Sequence, residues 1–283
     1  MDYTYIESKT DLRHYLKELE DNNNRILALD IEADMFLHSY GEKLCLIQIN
    51  DGINKLIIDP FKIDNDTLRV LFENRDILKV MYDAASDLYL LKNTFNMDIK
   101  SILDLRPAVH LLNYPKQDLH SVLYYELGIS LEKKKKYQRY NWLKRPISGE
   151  AIDYAINDVA HLLLLKDALL EKLHSKRLLE PFILSNLKIQ NRDYTRKPED
   201  KYKIRGYANL PNEEKAAFRR VVDTREKYAK RLNMPSNNVI HNTDLINIVK
   251  DTEYINKIRF PKRFSHELIH KIARELRLAI NVK

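Results

Sequence analysis

At 283 residues, 44% hydrophobic and 31% charged, the chain holds material for two domains with real cores, and no run approaches the roughly 20 apolar residues of a membrane span. A single cysteine, Cys45, excludes an internal disulfide and a thiolate-rich zinc site; the 5 glycines supply neither a dinucleotide fingerprint nor a P-loop. The net charge of +7 is unevenly placed, with 22 Lys/Arg against 12 Asp/Glu in residues 191–283 and 26 against 29 before them. An acidic front half joined to a basic rear half suits a catalytic or metal-binding module tethered to one that binds a polyanion. The polar, acid-bearing N-terminus reads as neither a secretory signal nor a transit peptide, so the cytoplasm is the expected compartment.

Along the chain, a helix is expected over residues 8–20. Three apolar strands follow closely: Arg25–Ala33, Lys43–Asn50 and Asn54–Asp59, the last two joined by the turn pair Asp51-Gly52. Short connections favour an antiparallel meander. After a helix over Asn65–Asn74 comes a fourth strand, Leu78–Tyr82. Helical patterns then dominate: Ser86–Phe95, Ile102–Leu112, Leu119–Leu127 closed by Gly128, and a long helix from Ser148 to about His174, with Ser148 as its N-cap and Glu150 in its first turn. The polar stretch from Asn191 to about residue 205, containing Pro198, reads as a linker. Beyond it, Asn212–Leu232 is a basic amphipathic helix, and Asn242–Val249 and Ser265–Val282 are helical too. The expected architecture is a mixed α/β sheet flanked by helices over residues 1–190, then a small all-helical module over 206–283.

Asp30 and Glu32 stand two apart on a strand and so share a face. Two acids on one face of an apolar strand repel and lose solvation unless a cation neutralises them, and oxygen-only ligands suit Mg²⁺ or Mn²⁺. Both could instead lie at a frayed strand end. Tyr154 and Asp158, four apart, share a helix face, which is equally the pattern of ordinary surface residues. Asp87 stands in a first helical turn, where the dipole alone favours an acid. Their order along the chain is more informative than any one of them.

That order resembles the DEDDy 3′-5′ exonucleases, and within them ribonuclease D. The first family block, an apolar strand ending in D-x-E, is LALDIEA with Asp30 and Glu32; LCLIQI with Gln48 matches the next strand. MYDAASDLYLL supplies the second block with Asp87 followed by Leu88, and Tyr154-Ala-Ile-Asn-Asp158 the third. KKYQRYNWLKRP carries the family's K-x-x-Q…W-x-x-R-P segment through Lys135, Gln138, Trp142, Arg145 and Pro146. The chain departs from the pattern at Tyr82, where the family usually has His, and at Tyr140-Asn141, which precede Trp142 in place of Ser-Asp. Residues 206–283 look like an HRDC domain, through a basic helix, then Asn233-Met234-Pro235 and a short helix.

The resemblance implies a ribonuclease H-like fold and two Mg²⁺ ions (Mn²⁺ possible) on Asp30, Glu32, Asp87 and Asp158. It implies that Tyr154 orients the attacking water while single nucleoside 5′-monophosphates leave the 3′ end of single-stranded RNA, with tRNA precursors the default substrate. Gln48, Lys135, Gln138, Trp142 and Arg145 are the implied substrate contacts; the run Lys133–Lys136 suits either an RNA backbone or a solvated loop. His38, His110, His120 and His161 show no ligand spacing and are read as structural. Neither a membrane nor an obligate protein partner is implied. A DNA-directed exonuclease and a non-catalytic nucleic-acid-binding protein on a nuclease scaffold are the rival readings.

Overall fold

The computed structural model describes residues 2–131 and 136–281. Its contacts divide the chain into two units: Met1–Ala33 with Lys43–Thr195, and Asp34–Glu42 with Arg196–Lys283. No helix among the described residues is long and apolar enough to cross a membrane.

The first unit opens with a short strand β1 (Thr4–Ile6), too brief to be read from sequence, and helix α1 (Lys9–Asp21), whose N-cap Ser8 accepts from the Asp11 amide. Strands β2 (Ile26–Met35), β3 (Glu42–Asn50) and β4 (Lys55–Ile58) follow, then helix α2 (Asn65–Phe72) and β5 (Leu78–Met81). After α3 (Ala85–Phe95) comes β6 (Ile102–Asp104), completing a mixed six-stranded sheet in the order β1-β4-β3-β2-β5-β6. β3 and β4 are antiparallel, while β1, β5 and β6 join their neighbours in parallel. The Asp51-Gly52 turn forms as its residues require: Gly52 takes a φ of +92°, and Asp51 accepts from the Ile53 and Asn54 amides.

Helices flank the sheet on both faces. Leu27, Leu29 and Ile31 of β2 enter one apolar cluster with Leu12 and Leu16 of α1 and Leu68 and Leu71 of α2. By the alternation of a strand, Ala28, Asp30 and Glu32 face the other way. That face receives α4 (Arg106–Leu111), α5 (Leu119–Leu127), α6 (Gly149–Ala160) and α7 (Leu162–Ser175), and Ala28 packs there with Val122, Leu123 and Val159.

Two elements differ from the sequence expectation. The helix expected over Ile102–Leu112 begins as strand β6 and becomes helix only at Arg106, with Pro107 in its first turn, where a missing N–H is harmless. The long helix beginning at Ser148 is two helices, broken at His161. Ser148 is the N-cap, accepting from the Ala151 amide, but the far end of α6 is fixed from β3: the Asn50 amide donates to the Val159 and Ala160 carbonyls at 3.3 and 3.0 Å. A side chain that takes the last-turn carbonyls ends a helix there.

A helix absent from the sequence reading, α8 (Leu179–Asn191), covers the outer edge of β6. The Asn186 side chain accepts from the Asp104 N–H at 2.7 Å and donates to its carbonyl at 3.2 Å. One turn on, the Gln190 side chain accepts from the Ile102 N–H at 3.1 Å and donates to the Ile99 carbonyl at 3.0 Å. An edge strand exposes unpaired backbone groups, and here amides spaced i, i+4 on a helix pair them.

The second unit is helical: α9 (Asn212–Leu232), α10 (Ser236–Val239), α11 (Asn242–Lys250) and α12 (His266–Asn281) enclose Phe218, Val221, Tyr228, Leu245, Ile272 and Leu276. Asn233 ends α9 in the left-handed region at φ 47°. The stretch read as a linker is partly structured, through the end of α8 and a 3₁₀ turn over Pro198–Tyr202. Residues 34–42 also belong to this unit. The buried Asp34 carboxylate accepts from the His38 and Ser39 amides, the Tyr40 amide donates to Asn233, and Tyr40 packs on the helical core.

Candidate active site

Three segments of the first unit bring the acids together. β2 carries Asp30 and Glu32, and α6 carries Asp158. One oxygen from each of the three can be chosen so that all lie within 4.8 Å of one another. Asp87, from the first turn of α3, is the largest charged influence on Asp30 and the second on Glu32. The placement of α3 is built from β6. Asp104 is 2% exposed, and its carboxylate accepts from the Asp83 and Ala84 amides at 2.9 and 3.0 Å and from the Arg106 amide at 2.9 Å. Ala84, at the N-cap of α3, has no capping side chain, so Asp104 on the neighbouring strand does that work. Arg106 in turn pairs with Asp83 at 2.7 Å.

Among the described residues only His120, beside Asp158, offsets the repulsion within the cluster. Burial, then Asp87, Asp158 and Glu32, pushes the Asp30 carboxyl well above its ordinary value of 3.8. Burial, then Asp158 and Asp87, does the same to Glu32. Burial first, then Asp104 and Asp83, raises Asp87 to about 8. Asp158 is raised by burial and held back by His120, whose Nε2 stands 3.7 Å from Asp158 Oδ1. All four acids are half-buried rather than sealed, so a cation or a phosphate can reach them.

Tyr154 sits one turn before Asp158. Burial and the charges of Asp158, Glu32 and Asp30, in that order, raise its hydroxyl and keep it protonated. Its ring rests on Tyr137, centroids 4.9 Å apart, and Tyr137 is 2% exposed with its hydroxyl donating to Glu150 at 2.9 Å. Tyr140 meets Tyr137 edge-on at 5.6 Å and Trp142 at 4.8 Å, so a row of four rings runs from the R-P segment to Tyr154.

The implied substrate contacts fare differently. Trp142 is 3% exposed inside that row and presents no free face to a base. The Arg145 guanidinium turns inward: Nε and Nη2 donate to Asp59 at 2.6 and 3.0 Å, Nη2 to the Cys45 carbonyl, and Nη1 to the Trp142 carbonyl. Its donors are taken by the fold, and it anchors the loop. Lys135 and the Gln138 side chain lie outside the described residues. Lys136, from the same run, pairs with Glu150 at 2.8 Å. Tyr82, at the departure from the family pattern, donates to the Gln117 carbonyl at 2.6 Å and packs in the core.

Gln48 is wholly buried, so it touches no substrate at the surface. It shares the α6-facing side of the sheet with Ile57, its β4 partner, on the strand next to β2. Neither its amide nitrogen nor its oxygen has a partner among the described residues. The acids on that face of the sheet offer oxygen donors alone, a set that fits a hard divalent cation.

His120 and Tyr137 are the site residues that sequence reasoning missed. Nothing local marks His120, which meets Asp158 from 38 residues away; Tyr137 lies inside a segment already singled out, and its apolar neighbours Tyr140 and Trp142 were the available signal.

A family model described as 3′-5′ exonuclease matches residues 3–174. The Caenorhabditis elegans exosome complex component 10 homolog is 30% identical over 230 residues, 80% of this chain and 25% of that protein. The ribonuclease D of Cronobacter turicensis is 30% identical over 150 residues, 52% of this chain and 40% of that protein. The crystal structure of Escherichia coli RNase D superposes with a TM-score of 0.79 at 20% identity, covering 100% of this chain and 76% of the other, a likeness of fold. The chain thus spans about a quarter of the length of the exosome component 10 relatives from C. elegans and mouse.

Proposed function

The chain belongs to the 3′-5′ exonuclease family, and from that premise we propose that it is an exoribonuclease of the ribonuclease D type, removing nucleotides from RNA 3′ ends with two divalent ions, Mg²⁺ by preference. The observation that carries the proposal is the convergence of Asp30, Glu32, Asp87 and Asp158 from three chain segments into one uncompensated acidic cluster.

Asp30, Glu32, Asp87 and Asp158 would hold the metal. Held there, a divalent ion would supply Lewis acidity, easing deprotonation of a water and offsetting charge on the phosphate. The protein's own part is positioning. β2 fixes Asp30 and Glu32 on one face, Asp104 fixes the turn that presents Asp87, and Asn50 fixes the end of α6 beside Asp158. Burial raises the Tyr154 hydroxyl above its ordinary value, which suits a group that would orient a water by hydrogen bonding rather than remove its proton.

RNA as substrate is supported by the names of the relatives, ribonuclease D and an exosome component. Precursor tRNA 3′ ends are the first natural substrates to try. The second unit, read as HRDC-like, supplies polyanion binding through its excess of Lys and Arg. Because one relative is named as a component of a complex, turnover by the isolated chain is itself informative.

The test is a gel time course on 5′-labelled single-stranded RNA and DNA, with Mg²⁺ or EDTA, for wild type and Asp30→Asn. A ladder shortening from the 3′ end of RNA, present only with metal and intact Asp30, is expected. Faster shortening of DNA would favour a DNA-directed exonuclease. Binding without shortening of either would favour a nuclease scaffold that has kept only its affinity.

A further inference from the structure

Among the described residues, Asp158 is the one acid of the cluster that meets a basic side chain, and the two backbones involved are locked together. His120 stands in the first turn of α5, where the N-cap Asp118 accepts from the Ser121 amide at 3.2 Å. Val122 and Leu123, the next residues but one and two, are wholly buried in the same apolar cluster as Val159, the neighbour of Asp158. Between these anchors the His120 and Asp158 side chains, 15% and 17% exposed, approach to 3.7 Å at Nε2 and Oδ1. That distance exceeds an N–H···O hydrogen bond of about 2.7–3.2 Å, so in the metal-free chain the contact is electrostatic, a small side-chain rotation short of a bond.

We propose that His120 is a positioning residue for the metal site: it holds Asp158 Oδ1 and leaves Oδ2 to the cation. The inference rests on the metal-binding reading given above. Asp30 and Glu32 crowd Asp158 from within 4.8 Å, and repulsion among three carboxylates drives each to rotate away from the others. A metal needs them turned inward before it arrives. His120 supplies the restraint at Oδ1, and the neutral tautomer with its proton on Nε2 suffices, because a donor is needed rather than a charge. Partners that orient ligating groups in this way are typically worth about 10–100-fold in metal affinity.

The experiment uses the full chain and Mn²⁺ as the probe, titrated without nucleic acid and followed by the electron paramagnetic resonance signal of the free ion. Two amides replace the imidazole: in His120→Gln the Nε2 amide reaches the position of the imidazole Nε2, and in His120→Asn the shorter side chain does not. Both are polar, and circular dichroism reports whether each is folded. His120→Asn is expected to weaken Mn²⁺ binding about 10–100-fold while His120→Gln stays within about threefold of wild type. Equal binding by His120→Asn and wild type overturns the proposal, as does equal weakening by both variants, which marks His120 as packing alone. A wild-type chain that takes up no Mn²⁺ overturns the metal reading itself, a result distinct from either.

Discussion

Replacing Asp87 with Asn removes one charge from the cluster and keeps the shape of the side chain. In the metal-free chain this carboxyl is pushed from 3.8 to about 8, by burial and then by Asp104 and Asp83. A raised carboxyl holds its proton more tightly in the folded than in the unfolded chain. Its contribution to stability is therefore complete below pH 3.8 and is lost as the pH climbs through about 8. At roughly 1.4 kcal/mol per pH unit the ceiling is about 6 kcal/mol. Access to solvent and sharing of the proton with neighbouring acids reduce it, and about 2–3 kcal/mol is the expected effect. Thermal unfolding in EDTA at pH 8 should find Asp87→Asn more stable than wild type, by roughly 5–10 °C in Tm for a unit of this size. The advantage should shrink toward zero near pH 4. Saturating Mg²⁺ should reverse the order, because wild type gains ligand-binding free energy that the variant cannot. A variant no more stable than wild type in EDTA at pH 8, or one whose advantage persists at pH 4, would mean that Asp87 carries no uncompensated charge.

Two further outcomes follow from the same structure. Tyr154→Phe should keep Mn²⁺ affinity within about threefold and lower kcat about 10–100-fold, since only the orienting hydroxyl is lost; single-turnover rates at saturating metal check this, and an unchanged rate removes Tyr154 from the chemistry. Lys79 is wholly buried, donates to the Asn74 and Lys100 carbonyls, and is lowered by burial to about 8. The unfolded chain keeps that proton up to about pH 10.5, so the stability of wild type relative to Lys79→Met should rise by about 2–3 kcal/mol between pH 8 and 10.5 in urea unfolding; parallel curves would contradict it.

What sequence could reveal here depended on the range of the forces involved. The D-x-E strand and the Ser148 cap are written in residues a few positions apart, and α6 begins where Ser148 places it. Oxygens of Asp30, Glu32 and Asp158 lie within 4.8 Å of one another, with Asp87 and Tyr154 close enough to feel their charges. The end of α6 was hidden because it is set by Asn50, more than 100 residues earlier. β6 was mistaken for helix because its three residues, Ile102, Leu103 and Asp104, run directly into a helical pattern, although Pro107 already marked where the helix could begin. Trp142 and Arg145 resemble nucleic-acid contacts by residue type, yet burial and Asp59 commit them to the loop, and residue type carries no record of which way a side chain turns.

The amide pair on α8 also constrains the order in which the molecule can be made. The turn presenting Asp87 depends on Asp104, and the outer backbone of Asp104 is completed by Asn186, 82 residues further on, with Gln190 completing Ile102 after 88. A chain emerging from the ribosome exposes Asp30, Glu32 and Asp87 long before it exposes α8. The region that matches the exonuclease family ends at residue 174, ahead of that helix. A nascent or truncated chain stopping there would hold every acid of the cluster while the strand beneath the Asp87 turn lacked its outer partners. The turn that presents Asp87 is thus completed from beneath by a helix that carries none of the four acids.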